Sequence, residues 1–314
     1  MQVMSTSIDR RALEEGLPAL IGNTPLLPLV SLSKELYPEV KVYAKAEWFN
    51  PSGSVKDRPA WGIIQKALHE GWILPGVHLL DSTSGNMGIA YATLGSALGI
   101  PITLALPSNA SRERIQILQA FGAELVLTDP LEGSDGAIRK AQELVEEHPN
   151  RYYYANQYDN PANWQSHYQT TGPEILSQTD GEITHFVVGL GTSGTMTGVT
   201  KYLRERAPEV EIIAVQPDSP FNGLEGLKHM PTAIQPGIYD PHLPDRTIGV
   251  TTEKAYEMVR CLASEEGYFV GVSAGAAAAA ALQVAREINH GTVVTIFPDA
   301  GFKYLSDEEL WKGS

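Results

Sequence analysis

Strand-like and helix-like runs alternate along almost the whole of this chain, and several of the strand-like runs carry no polar face. Residues 41–48, 77–81, 101–107, 123–128, 152–155, 185–188, 211–215, 268–272 and 292–297 read as strands. Between them, residues 60–72, 89–98, 111–121, 136–147, 160–177, 195–207, 251–266 and 274–288 read as helices. Strands that are apolar on both sides and separated by helices belong to parallel sheets covered on both faces. A fold of that kind binds its ligands just beyond the carboxyl ends of the strands. Each polar turn that follows a strand is therefore a candidate site. A proline- and glycine-rich segment, 218–249, interrupts the alternation, and irregular segments of that length are usually functional or disordered.

The 314 residues allow two domains. The net charge of −14 argues against a nucleic-acid or anionic-membrane partner, because both require basic surfaces. The single cysteine, Cys261, excludes an internal disulfide and a cysteine-rich metal site, so no metal is expected. It lies in a helix-like run and reads as a small core residue. Asp9, Arg10 and Arg11 are not followed by the apolar core of a signal peptide. The alanine-rich stretch 274–281 is too short to span a membrane. A soluble cytoplasmic protein is expected.

Four polar turns stand out. Asn50-Pro51-Ser52-Gly53-Ser54-Val55-Lys56-Asp57-Arg58-Pro59 stops one strand and starts a helix. With Ser54 as the N-cap, Lys56 falls in the first helical turn. That end of a helix disfavours a cation, which biases Lys56 toward the neutral amine that makes Schiff bases. A solvated surface lysine is the ordinary alternative. Ser82-Thr83-Ser84-Gly85-Asn86-Met87-Gly88 joins a strand to a helix and suits a carboxylate; a capped helix start explains it equally well. In Gly189-Leu190-Gly191-Thr192-Ser193-Gly194-Thr195 the glycines, N–H groups and hydroxyls can ring a phosphate. The same turn contains a literal G-x-G-x-x-G, with Asp218 near the end of the next strand, so a nicotinamide dinucleotide site is a rival. Ser273, placed where the 268–272 strand ends and a helix starts, is by itself an N-cap. Together, a reactive lysine, an anion turn, a phosphate turn and a strand-end hydroxyl meet the needs of pyridoxal 5'-phosphate. A dinucleotide enzyme needs neither Lys56 nor the second anion turn.

The chain resembles the cysteine synthases (O-acetylserine sulfhydrylases, B-type-like) of the tryptophan-synthase-β-like, fold type II pyridoxal phosphate enzymes. The segments that carry the resemblance are 21–26, 50–59, 83–88, 157–174, 191–198, 271–276 and 298–306, in the family's order over nearly the whole chain. The resemblance implies an α/β fold of two domains, each a mainly parallel sheet flanked by helices, with the cofactor in the cleft between them. Residues 46–157 would form the smaller N-terminal domain, and 1–45 with 158–314 the larger, phosphate-binding one. Lys56 would hold the cofactor as the internal aldimine. Asn86 would bond its ring hydroxyl, Gly191, Thr192, Ser193, Gly194 and Thr195 its phosphate, and Ser273 its ring nitrogen. Thr83, Ser84, Met87 and Gln157 would take the substrate carboxylate. Asp299 would lie near the ring end of the cofactor, or serve as a cap.

The implied reaction is β-replacement. An O-activated L-serine, first of all O-acetyl-L-serine, loses its α-proton to Lys56 and then its β-substituent, and the α-aminoacrylate accepts sulfur to give L-cysteine. Ser273 is too weak an acid to protonate the pyridine, which would favour β-elimination over racemisation. Relatives with other chemistry are O-phosphoserine sulfhydrylases, cystathionine β-synthases, and serine or threonine dehydratases. The dehydratases carry a different phosphate turn. Asp218 stands near where phosphoserine enzymes carry arginine, while Lys228 and His229 follow in the same segment. Threonine is usual in the family where this chain has Met87, so Met87→Thr is expected to restore a carboxylate contact. Family partners are a second copy in a homodimer, serine acetyltransferase, or a sulfur-carrier protein.

Overall fold

A computed structural model describes residues 10–83 and 85–312. In chain order its first half contains α1 (Arg10–Glu14), β1 (Leu26–Pro28), β2 (Val40–Ala46), α2 (Asp57–His69), β3 (His78–Ser82), α3 (Asn86–Leu98) and β4 (Ile102–Pro107). Next come α4 (Arg112–Ala120), β5 (Glu124–Thr128), α5 (Gly133–Glu147), β6 (Tyr152–Tyr154), α6 (Pro161–Gln169) and α7 (Thr171–Gln178). The remainder is β7 (Ile183–Gly189), α8 (Gly194–Arg206), β8 (Glu211–Pro217), β9 (Arg246–Val250), α9 (Thr252–Cys261), α10 (Val272–Glu287), β10 (Gly291–Phe297) and α11 (Glu308–Trp311).

The chain divides into two compact units. The smaller comprises the described part of Met1–Ile21, with Asn50–Ser52 and Lys56–Asn163; the larger comprises Gly22–Phe49, Gly53–Val55 and the described part of Trp164–Ser314. The lead-in to Ile21 groups with the smaller unit because α1 packs on α3.

In the smaller unit four parallel strands run in the order β5-β4-β3-β6. Leu79 and Leu104 face the layer that contains Ile63 and Ile64 of α2 and Leu94 of α3. Their chain neighbours Leu80 and Ala105 face Ala137 and Ala141 of α5. Successive strand residues point to opposite faces, so a two-sided core demands the unbroken apolar strands seen here.

The larger unit has six strands in the order β1-β2-β10-β7-β8-β9, all parallel except β1. Val187, Ile213 and Val293 pack on one face with α9 and α10. Phe186, Ile212 and Val294 pack on the other with Val199 and Leu203 of α8. The alanines of α10 let it lie close to α9: a Cβ on Gly275 would stand 2.3 Å from the Ala255 carbonyl oxygen. Lys45, fully buried in this unit, donates to the Thr24 carbonyl at 2.6 Å and pairs with Glu174 at 2.6 Å. This pairing offsets the cost of taking both charges out of water.

Four sequence expectations need correction. Residues 268–272 form no strand: Val270 makes one isolated bridge to Ala300, and Val272 already opens α10. The 160–177 helix is two helices, because Pro173 in the first turn of α7 cannot continue the preceding helix. The 218–249 segment contains β9, an edge strand with only alternate residues buried, which leaves no continuous apolar run to read. Ser54 does not cap α2: it bridges Asp299, and Lys56 itself occupies the N-cap position with no side-chain cap bond. Cys261 ends α9, half-buried against the core of the larger unit.

Candidate active site

In the smaller unit the candidate residues gather at the carboxyl ends of β3 and β6, which are paired neighbours, and at the N-termini of α2 and α3. The turn before Lys56 is closed by Asp57, which accepts from the Ser52 N–H at 2.7 Å and from the Ser52 hydroxyl. Gly53 takes the left-handed conformation at φ +79°. Lys56 is therefore held at the start of a 13-residue helix. Burial of its ammonium lowers its pKa from 10.5 to about 8, because desolvation disfavours the charged form. The helix N-terminus acts in the same direction.

Thr83 follows β3, and its hydroxyl accepts from the Gly85 N–H at 3.2 Å. Ser84 lies outside the described residues. Asn86 is the first residue of α3, with Gly85 as the N-cap. Gln157 donates through Nε2 to the Ser82 carbonyl at 3.0 Å, which sets it beside the turn that begins at Thr83. Thr83 and Gln157, both expected to take the substrate carboxylate, are thus adjacent. Met87 differs. Its side chain is 2 % exposed and belongs to the hydrophobic core of this unit. What Met87 can offer an anion is its main-chain N–H at the start of α3. The place of the family's threonine hydroxyl is taken by packing.

In the larger unit the turn 190–193 follows β7 and leads into α8. Ser193 is the N-cap of α8 and adopts φ +66°, ψ 0°, a left-handed conformation that costs a serine roughly 1–2 kcal/mol. Its hydroxyl is buried and has no hydrogen-bond partner among the described residues. A buried donor without a protein partner is one that a ligand or a water can satisfy. Gly191 is required by close approach, since a Cβ there would stand 2.5 Å from the Gly226 carbonyl oxygen. The Gly194 N–H points back to the Thr192 hydroxyl at 3.4 Å. The result is a strained cradle of small residues at the N-terminus of a 13-residue helix, suited to a phosphate.

Ser273 is the second residue of α10, buried, and close to this cradle: a Cβ on Gly226 would lie 3.9 Å from its hydroxyl. Asp299 is fully buried and accepts from the Tyr304 hydroxyl at 3.0 Å. Asp218 is exposed just past β8, its N–H donating to the Val250 carbonyl at 3.1 Å.

Two residues escaped the sequence reading. His167, buried on α6, meets the Thr195 hydroxyl through Nε2 at 3.3 Å and the Thr171 hydroxyl through Nδ1 at 2.9 Å. It thereby reaches the first turn of α8. The i, i+4 spacing of His167 and Thr171 was a faint signal. Asp81, fully buried at the end of β3, accepts from the Ser82 and Gln157 N–H groups at 2.8 and 3.3 Å. Burial raises its pKa to about 7.

The residues present fit pyridoxal phosphate, with a desolvated lysine amine, an unmet buried hydroxyl in a glycine-opened phosphate cradle, and a buried serine near it. Comparison with known proteins agrees. Residues 17–299 match the model of the family described as pyridoxal-phosphate dependent enzyme. A cysteine synthase of Aquifex aeolicus is 51% identical over 301 residues, covering 94% of this chain and 92% of the relative. Cysteine synthase B of Escherichia coli is 42% identical over 286 residues, covering 91% and 93%. The crystal structure of an Entamoeba histolytica cysteine synthase superposes with a TM-score of 0.91 at 36% identity, covering 100% of this chain and 95% of that one. These matches remove the dinucleotide reading of Gly189, Gly191 and Gly194. The chain belongs to the pyridoxal-phosphate dependent enzymes, among the cysteine synthases of that family.

Proposed function

We propose that this protein makes L-cysteine by β-replacement on an O-activated L-serine, with O-acetyl-L-serine as the first substrate and sulfide or another sulfur donor as the second. The observation that carries this reading is the phosphate cradle around the unmet Ser193 hydroxyl, with the half-buried Lys56 held at a helix start. Pyridoxal phosphate, when bound, supplies a carbonyl that condenses with amines and an electron-withdrawing ring that makes the α-C–H of an amino acid acidic. Lys56 would hold the cofactor and, once displaced, take the α-proton on Nζ. Asn86 would bond the ring hydroxyl, Ser273 would face the ring nitrogen, and residues 191–195 would hold the phosphate. Thr83, Gln157 and the N–H of Met87 would fix the substrate carboxylate, with Ser84 as a further contact.

A second reading, O-phosphoserine as substrate, has only the chain position of Lys228 in its favour. Its main-chain N–H donates to the Leu190 carbonyl at 2.7 Å, beside the phosphate turn, while its ammonium lies 3.5 Å from the Ile234 carbonyl. The exposed Asp218 weighs against it. The family resemblance also favours a homodimer working in the cytoplasm, with serine acetyltransferase or a sulfur-carrier protein as the macromolecular partner. Among the described residues no helix is long and apolar enough to cross a membrane.

Borohydride reduction followed by peptide mass spectrometry tests the first reading. A pyridoxyl adduct on Lys56 is expected, and an adduct elsewhere overturns the assignment. Steady-state assays with O-acetylserine and O-phosphoserine side by side should give cysteine faster from the acetyl ester.

A further inference from the structure

The most deeply buried carboxyl of the smaller unit has no part in the chemistry above, yet it lies directly behind the groups assigned to the substrate. Asp81 is fully buried. One carboxylate oxygen accepts the N–H of Ser82, where β3 runs into the turn that carries Thr83. The other accepts the N–H of Gln157, just past the end of β6. Gln157 closes the loop by donating from Nε2 to the Ser82 carbonyl, and Asn163 Nδ2 donates to the Gln157 carbonyl at 2.7 Å. The carboxylate therefore joins two strand ends that lie far apart in sequence. Both strand ends carry residues assigned to amino-acid binding.

We infer that Asp81 is a positioning residue for amino-acid binding: it clamps Gln157 to the carboxylate turn, and the affinity for the amino-acid substrate depends on that clamp. The inference rests on the assignment of Thr83 and Gln157 to the substrate carboxylate.

The clamp needs the ionised carboxyl, because a protonated one presents an O–H where one acceptor is required. The groups that face Asp81 are tyrosines: Tyr91 from α3, Tyr153 and Tyr154 from β6, and Tyr158 beyond it, which also faces Asp135 of α5. From β4, the residue paired with Asp81 is Leu104. No cation is among these neighbours, and burial dominates, raising the carboxyl to about 7. The Tyr91 hydroxyl faces the carboxylate and acts to lower that value. The raised pKa means that the charged clamp forms as pH rises through about 7 and is lost below it.

The test is a visible-absorbance titration of the holoenzyme with L-alanine, an amino acid that has no β leaving group, between pH 6 and 9. In the parent the dissociation constant should show a limb near pH 7, tighter on the alkaline side. In Asp81→Asn it should be about tenfold weaker at pH 8, the worth of one charge-assisted hydrogen bond, and the limb should vanish. Tyr91→Phe, nearly isosteric, should keep the limb and move its midpoint to higher pH, which holds the inference to account even where Asp81→Asn fails to fold. The amine of alanine titrates identically in all three proteins and cancels in the comparison. Unchanged affinity and an unchanged limb in Asp81→Asn, or an unmoved midpoint in Tyr91→Phe, would overturn the inference. Failure of the function itself is distinguishable, since it would remove the cofactor colour and the Lys56 adduct from the parent.

Discussion

Replacing Ser193 by alanine should stabilise the cofactor-free protein and weaken its hold on pyridoxal phosphate, and the opposite signs are the signature. The Ser193 hydroxyl is 2 % exposed as a residue and has no hydrogen-bond partner among the described residues. A buried polar group left unmet costs about 1–3 kcal/mol, and alanine removes that cost. The left-handed backbone at φ +66° penalises alanine and serine alike, so it cancels in the comparison. At roughly 2–4 °C per kcal/mol for a domain of 150–250 residues, the cofactor-free melting temperature should rise by several degrees. In the loaded protein the hydroxyl donates to a charged phosphate, worth about 1.5–3 kcal/mol. Its loss should weaken binding by roughly 10- to 100-fold, at 1.4 kcal/mol per factor of ten. The assays are thermal melts of the resolved apoprotein and equilibrium titration with pyridoxal phosphate. Ser193→Gly, which also relieves the backbone, should lose the same affinity. An alanine variant that binds the cofactor as tightly as the parent would refute the reasoning, because the unmet hydroxyl would then have nothing to do with the phosphate.

Lys56 should combine with pyridoxal phosphate faster as pH rises through about 8, the value set by burial, and then level off. Stopped-flow mixing of apoprotein and cofactor measures this, and a rate still climbing toward the ordinary lysine range would show an amine that is not desolvated. Met87→Thr trades a core side chain for a hydroxyl in an apolar layer. It should lower stability by about 2 kcal/mol and leave amino-acid affinity no better; tenfold tighter binding would instead mean that the missing hydroxyl is a deficit. Ser273→Ala should retain the cofactor colour and lose turnover in steady-state assays. Equal activity in that variant would sever Ser273 from the ring nitrogen.

Much of the frame was legible because its causes are local. A two-sided sheet requires strands without a polar face, and residues 102–107 and 291–297 carry that requirement openly. The turns of 50–59, 83–88 and 191–195 announce themselves by residue types that suit helix starts and close backbone approach. The failures were local as well. The apolar run at 268–272 has a strand's composition, but its last residue is taken into α10. β9 alternates because it lies at the sheet edge, so nothing covers its outer residues continuously.

What the sequence by itself determined is therefore the α/β alternation and the order of the polar turns, which follow from periodicity and from the residue types of short segments; Lys56 as the reactive amine is what the family resemblance implies. Only the tertiary structure decided what those residues face. The amine of Lys56 is desolvated by the atoms packed around it. Ser193 is forced into a left-handed turn with an unmet hydroxyl, while Gly191 is held against Gly226, across a segment that has no regular pattern to read. The side chain of Met87 is claimed by a core. Asp81 reaches Gln157 because parallel pairing of β3 with β6 brings their carboxyl ends side by side. Burial, strain and partnership depend on which strands become neighbours, and pairing between strands so distant in the chain leaves no periodic mark in either.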